Sequence, residues 1–172
     1  MPRKPLSVRQ AIAYGTLVVG TLDISDAIVV SLVRGSTPGR MLQGIASGLL
    51  GRASFQGGVA TMALGLLIHF LIAFCVVTTY NLASRRFAVL TRRPLICGPI
   101  YGVLVYLFMY RVVIPLSAIG VTPQFVFPRS INDVLIHAFG VGLPSALFAA
   151  RSERPMTTGS LSPSGDQATT HA

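Results

Sequence analysis

Four stretches of the chain are apolar almost without interruption, at residues 11–33, 57–80, 95–115 and 131–150. At about 1.5 Å of rise per residue, roughly 20 helical residues reach across the about 30 Å hydrocarbon layer of a bilayer. Apolar and polar positions do not alternate in the short segments that a barrel strand would need, and a helix satisfies its own backbone in lipid. The pattern therefore predicts an all-α fold, an integral membrane four-helix bundle. Residues 34–56 open on the turn cluster Ser36, Thr37, Pro38 and Gly39 and then run apolar over 41–51. As a helix that run would rise only about 17 Å, so it is expected to be a short interfacial or re-entrant helix between spans 1 and 2. Gly44 and Gly48, four apart, predict a close approach of this helix to a neighbour. Residues 1–10 form a basic N-terminal segment, and residues 151–172 turn to Ser, Thr, Gly and Pro, the composition of a disordered tail.

Composition agrees with the pattern. Of 172 residues, 52% are apolar and only 11% charged, against roughly 25% charged in soluble domains. That balance argues against a soluble enzyme. The net charge of +9 is not interleaved with aromatic residues, so it implies no nucleic-acid partner. Its placement is informative instead. Arg3, Lys4 and Arg9, then Arg85, Arg86, Arg92 and Arg93, then Arg151 and Arg154 fall on one side of a four-span chain. By the positive-inside rule that side is cytoplasmic, with both termini in. Arg34, Arg40, Arg52 and Arg129 fall opposite, and Arg111 within the third stretch. The first stretch, about 23 residues long and carrying two acids, is too long and too polar for a cleaved signal. Cys75 and Cys97 lie in apolar runs, which predicts neither disulfide nor zinc site. The partners implied are the lipid bilayer and a second copy or an unidentified membrane protein.

The candidate chemistry lies in polar residues inside the spans. Asp23 and Asp26 are three apart, hence on one helix face. A carboxylate at the bilayer centre costs about 2.5–3.5 kcal/mol, so the pair is expected to face the bundle. It is there either as a functional site or as protonated, paired or hydrated structural groups. His69 falls in the row Thr61, Gly65, His69, Ala73, which predicts an inward imidazole, structural or functional. Asp133 and His137 are four apart, so the carboxylate could hold a ring nitrogen, while Asp133 also suits the first turn of a helix. Gly98, Gly102, Tyr106 and Tyr110 form a further row suited to helix packing, as does Gly65. Arg111 is expected to snorkel outward or to pair with Asp23, Asp26 or Asp133.

Together these groups suggest a proton relay or a set of oxygen and imidazole ligands for a divalent metal. Neither HExxH, a Walker loop nor GxSxG occurs, so no catalytic residue and no cofactor is assigned. The function expected is the movement or sensing of protons or a cation. The alternatives are an assembly protein whose polar groups only fix helix packing and, third, a membrane-embedded metal enzyme.

From IHFLIAF around His69, through PLSAIGVTPQFVFP with Thr122, Pro123, Phe125 and Pro128, to NDVLIH at Asn132–His137, the chain resembles the YagU-like group of small bacterial inner-membrane proteins. The likeness covers roughly half the chain. It implies a bacterial inner-membrane location and makes His69, Asn132 and His137 shared positions, whereas the Asp23 and Asp26 pair departs from the group's pattern. The apolar segment Phe125, Val126 and Phe127 is expected to lie on the membrane surface or to fold over the mouth of the bundle.

Overall fold

The structure is a computed structural model and describes residues 5–152. Arg3, Lys4, Arg154 and the expected tail beyond residue 152 lie outside the described residues. Helix α1 spans Val8–Val33, α2 Pro38–Leu50, α3 Gly58–Arg86, α4 Val89–Arg92, α5 Pro94–Leu116 and α6 Ser130–Ala150, with a 3-10 turn at Gly51–Gln56 between α2 and α3. No strand occurs among the described residues. Four of these helices, α1, α3, α5 and α6, are long and apolar enough to cross a membrane.

Local chemistry sets where the helices begin. Ser7 caps α1 by accepting from the Gln10 amide, and the Gln10 side chain accepts from the Ser7 amide in return. Thr37 accepts from the Arg40 amide and Pro38 occupies the first turn of α2, where its missing N–H costs nothing. Between α1 and α2 the chain reverses at Gly35, whose φ of 69° suits a residue without Cβ. Helix α3 continues past the expected end at residue 80 to Arg86. Asn81 and Ser84 do not break it because both are buried and bond back to carbonyls of their own helix, those of Val77 and Asn81.

Helices α5 and α6 each change winding partway along. Met109–Val113 of α5 and Ile136–Gly142 of α6 are π-wound, and α-helix resumes after each. Both π segments lie in the half of the bundle away from Val8, hereafter the far half.

Small residues carry the packing. A Cβ at Gly102 would overlap the His137 carbonyl, and one at Gly142 the backbone of Gly98 and Gly102, so α5 and α6 meet backbone to backbone. A Cβ at Gly65 would overlap the Leu42 carbonyl, which seats α2 on α3. A Cβ at Gly15 would lie 2.8 Å from the Val77 side chain, where α1 meets α3. The large apolar side chains point the other way. Leu17, Val29, Leu67, Leu71, Leu95, Leu104 and Phe139 are all exposed on the outside of the long helices.

Helix α2 lies across the far end. Ser31 at the end of α1 donates to the Thr37 carbonyl, Gln43 donates to the Gly58 carbonyl and Thr61 hydroxyl of α3, and the Ala118 amide beyond α5 donates to the Gly48 carbonyl. The spacing of Gly44 and Gly48 does not seat the helix, contrary to expectation. A Cβ at Gly44 would meet nothing within 4 Å, and one at Gly48 only the Ser117 Cβ at 3.9 Å. At the near end, the Leu6 amide donates to the Arg151 carbonyl, so the described chain starts and finishes on the same side.

Candidate functional site

A cavity of about 1050 Å³ occupies the far half, walled by α1, α3, α5 and α6 and bordered by α2 and residues 117–119. Along α1 it reaches from Val19 to Arg34, about 22 Å at the helical rise. Its floor is dry. Val19, Ala73, Val77 and Val141 form one buried apolar cluster, which separates the cavity from the near end. The walls are mostly aliphatic, and the polar exceptions include Asp23, Asp26, His69, Tyr110, Asp133 and His137, with Arg34 and Ser117 toward the far end.

The structure thus brings Asp23, Asp26, His69, Asp133 and His137 to one cavity, but as separate contacts, while Asn132 and Arg111 are not among its lining residues. His69, only 8% exposed, places Nε2 2.8 Å from the Gly20 carbonyl. A carbonyl only accepts, so Nε2 carries the hydrogen and Nδ1 is the nitrogen that can gain or lose a proton. That atom lies 3.9 Å from Asp23 Oδ2. One turn along, Asn132 on α6 donates its amide to both oxygens of Asp26, at 3.2 and 3.0 Å. The two acids therefore share a face of α1 but not a partner: Asp23 turns to α3 and Asp26 to α6.

On α6 the expected link between the Asp133 carboxylate and the His137 ring is not what forms. His137 Nδ1 donates to the Asp133 backbone carbonyl at 2.7 Å, because the ring folds back along its own helix to the carbonyl four residues earlier. The Asp133 carboxylate instead accepts from the Tyr110 hydroxyl at 3.2 Å. Tyr110 stacks on Tyr106 with ring centroids 4.4 Å apart, and His137 meets Tyr106 edge-on at 5.6 Å. With Nδ1 donating, His137 keeps Nε2 as its basic nitrogen, the opposite tautomer to His69.

Arg111 is exposed on the π segment of α5, and the ion-pair partner of Asp23 is His69. Among the described residues no three His, Cys, Asp or Glu side chains gather as metal ligands, so the Asp and His residues do not converge as the metal reading requires. Phe125, Val126 and Phe127 are exposed and do not fold over the bundle mouth; residues 117–119 border the cavity instead.

Sequence reasoning did not single out Gln43 or Ser31 as polar contacts, and for Tyr110 it allowed a hydroxyl lent to the bundle interior without naming its partner. Gln43 could have been found, as the one amide within the short apolar run. Ser31 carried no signal. Comparison with protein-family models, with curated proteins and with solved structures gives no match.

Proposed function

We propose that this chain is a multi-pass membrane protein that binds a proton or another cation in its far-half cavity, and moves or senses it there. The membrane reading rests on four long apolar helices on which many large apolar side chains face outward while glycines let the backbones approach inside. Arg9, Arg85, Arg86, Arg92, Arg93 and Arg151 cluster at the near end, so that end is cytoplasmic in this proposal and the cavity belongs to the opposite side. Helix α2, exposed at Leu49 and Leu50 and too short to span, then lies at the outer interface with Phe125, Val126 and Phe127. A bacterial inner-membrane location and kinship with the YagU-like group from His69 onward are part of the same proposal.

One observation carries the cation. Asp23 and Asp26 both line the cavity, and among the described residues no Lys or Arg nitrogen lies within ion-pair distance of either carboxylate. His69 can supply at most one compensating charge, and only when protonated. A second positive charge in the cavity would relieve the cost of holding two carboxylates at bilayer depth. The near half is closed by the apolar cluster around Val77. Passage to the other side therefore requires α1 or α6 to shift against α3, and the π turns in α5 and α6 are natural places for that adjustment.

The test is proton movement in vesicles. Purified protein in liposomes holding a pH-sensitive dye should change lumenal pH under an imposed potential, and Asp23→Asn and His69→Ala should abolish the change. A wild-type protein that is folded and inert, with no proton uptake sensitive to Asp23→Asn, overturns the reading. A second reading is assembly only, favoured by the interhelical bonds of His69 to Gly20 and Asn132 to Asp26. Under it the same substitutions lower stability and leave no proton-linked signal to lose.

A further inference from the structure

Resting on that reading, we infer that the cation is organic and amphipathic, a single positive charge on a bulky apolar body, and that its body fills the space left between α2 and the four long helices. A proton or a metal ion has no use for so much room. The cavity of about 1050 Å³ equals the volume of some 35 waters at about 30 Å³ each. It lies at the upper end of the size range of small-molecule sites. Water does not suit its walls, since Ile45, Ile68, Ile72, Val105 and Phe108 offer no hydrogen bonds.

The glycines of α2 supply an independent observation. Gly65, Gly98, Gly102 and Gly142 are glycine because a Cβ would strike backbone, whereas Gly44 and Gly48 line the cavity with nothing for a Cβ to strike. Their effect is to leave the wall set back. The charge is then recognised at one side of this apolar chamber, where Asp23 and Asp26 stand on α1. The Tyr110 ring borders the same space and offers a face to a cation. Arg34, the one arginine at the cavity, is exposed at the far end, eight residues and about 12 Å of helix beyond Asp26. Solvent screens it there, and it leaves the inner carboxylates with no compensating charge beyond the one His69 can carry.

The probes are tritiated tetraphenylphosphonium, tetrabutylammonium as a smaller competitor, and tetraphenylborate, which has the shape of the first with the opposite charge. Binding is measured on the full chain in detergent against protein-free micelles. Saturable phosphonium binding is expected, displaced by tetrabutylammonium and not by tetraphenylborate. It should weaken at least tenfold in Asp23→Asn/Asp26→Asn and in Gly44→Leu, whose added side chain enters the open space. No saturable binding of either cation by folded wild-type protein overturns the inference, as does equal displacement by tetraphenylborate or binding indifferent to the carboxylates. If the dye response survives such a failure, the ligand is a proton or small ion and only the organic cation falls. If the dye response is absent too, the proposed function falls with it.

Discussion

Alanine at Gly102 and alanine at Gly44 place the same methyl group in opposite surroundings. At Gly102 a Cβ would overlap the His137 carbonyl and lie 2.7 Å from the Ala138 Cα, both main-chain groups that no rotamer change can move. Relief requires α6 to back away from α5, which loosens the neighbouring contacts of Gly98 and Gly142 as well. Overpacking of this kind costs about 1–3 kcal/mol, and a backbone clash belongs at the upper end. The better helix propensity of alanine returns about 1 kcal/mol, leaving a net loss of about 2 kcal/mol. At Gly44 no atom lies within 4 Å of the added methyl, so only the propensity gain remains, about 0.5–1 kcal/mol of stabilisation. The two variants should therefore differ by nearly 3 kcal/mol in opposite directions from wild type. Unfolding in mixed micelles titrated with SDS and followed by far-UV circular dichroism measures this directly. A Gly102→Ala midpoint at or above that of Gly44→Ala would show that α5 and α6 do not meet as described.

Removing the Asn132 amide in Asn132→Leu should cost about 1.5 kcal/mol, the lower end for a bond to a charged group, because the contact is only partly buried. In an Asp26→Leu background the loss should shrink below about 0.5 kcal/mol; additivity in that cycle would mean the two side chains do not interact. His69→Phe leaves the Gly20 carbonyl without its ring donor and should destabilise by about 1–3 kcal/mol. His69→Gln, which keeps an N–H donor, should recover part of that loss, and equal melting of the two variants would discount the bond. Nitrogen NMR of the neutral histidines should find the hydrogen on Nε2 of His69 and on Nδ1 of His137; finding one tautomer for both contradicts the geometry. For topology, with Cys75 and Cys97 replaced by serine, Ala118→Cys should react with a membrane-impermeant maleimide on intact cells. Phe87→Cys should react only after permeabilisation, and the reverse pattern would invert the orientation.

Much of the site was legible because it depends on helical spacing. The row Thr61, Gly65, His69 and Ala73 is buried throughout, since steps of four keep residues on one face. The same rule put Gly98, Gly102 and Tyr106 inside. It failed where the outcome depends on another element. Spacing paired Asp133 with the His137 ring, but the Tyr110 hydroxyl from α5 takes that carboxylate. Spacing also made Gly44 and Gly48 a packing face, although a Cβ at Gly44 would meet nothing within 4 Å and one at Gly48 only the Ser117 Cβ at 3.9 Å. Nothing along α1 says that Asp23 and Asp26 part company, because their partners come from α3 and α6.

The amino-acid sequence by itself determined the helices. The number of long helices, their approximate ends and the brevity of α2 follow from terms that act within one segment: residue rise, apolar length, the caps at Ser7 and Thr37, and the turn at Gly35. Tertiary structure alone decided the cavity, the tautomers of His69 and His137, and which acid meets which partner. A void has no local code, since it is what remains when α2 and four long helices fail to fill the space between them. A buried polar contact likewise depends on the registers of two helices at once, and these are set where glycines let one backbone rest against another.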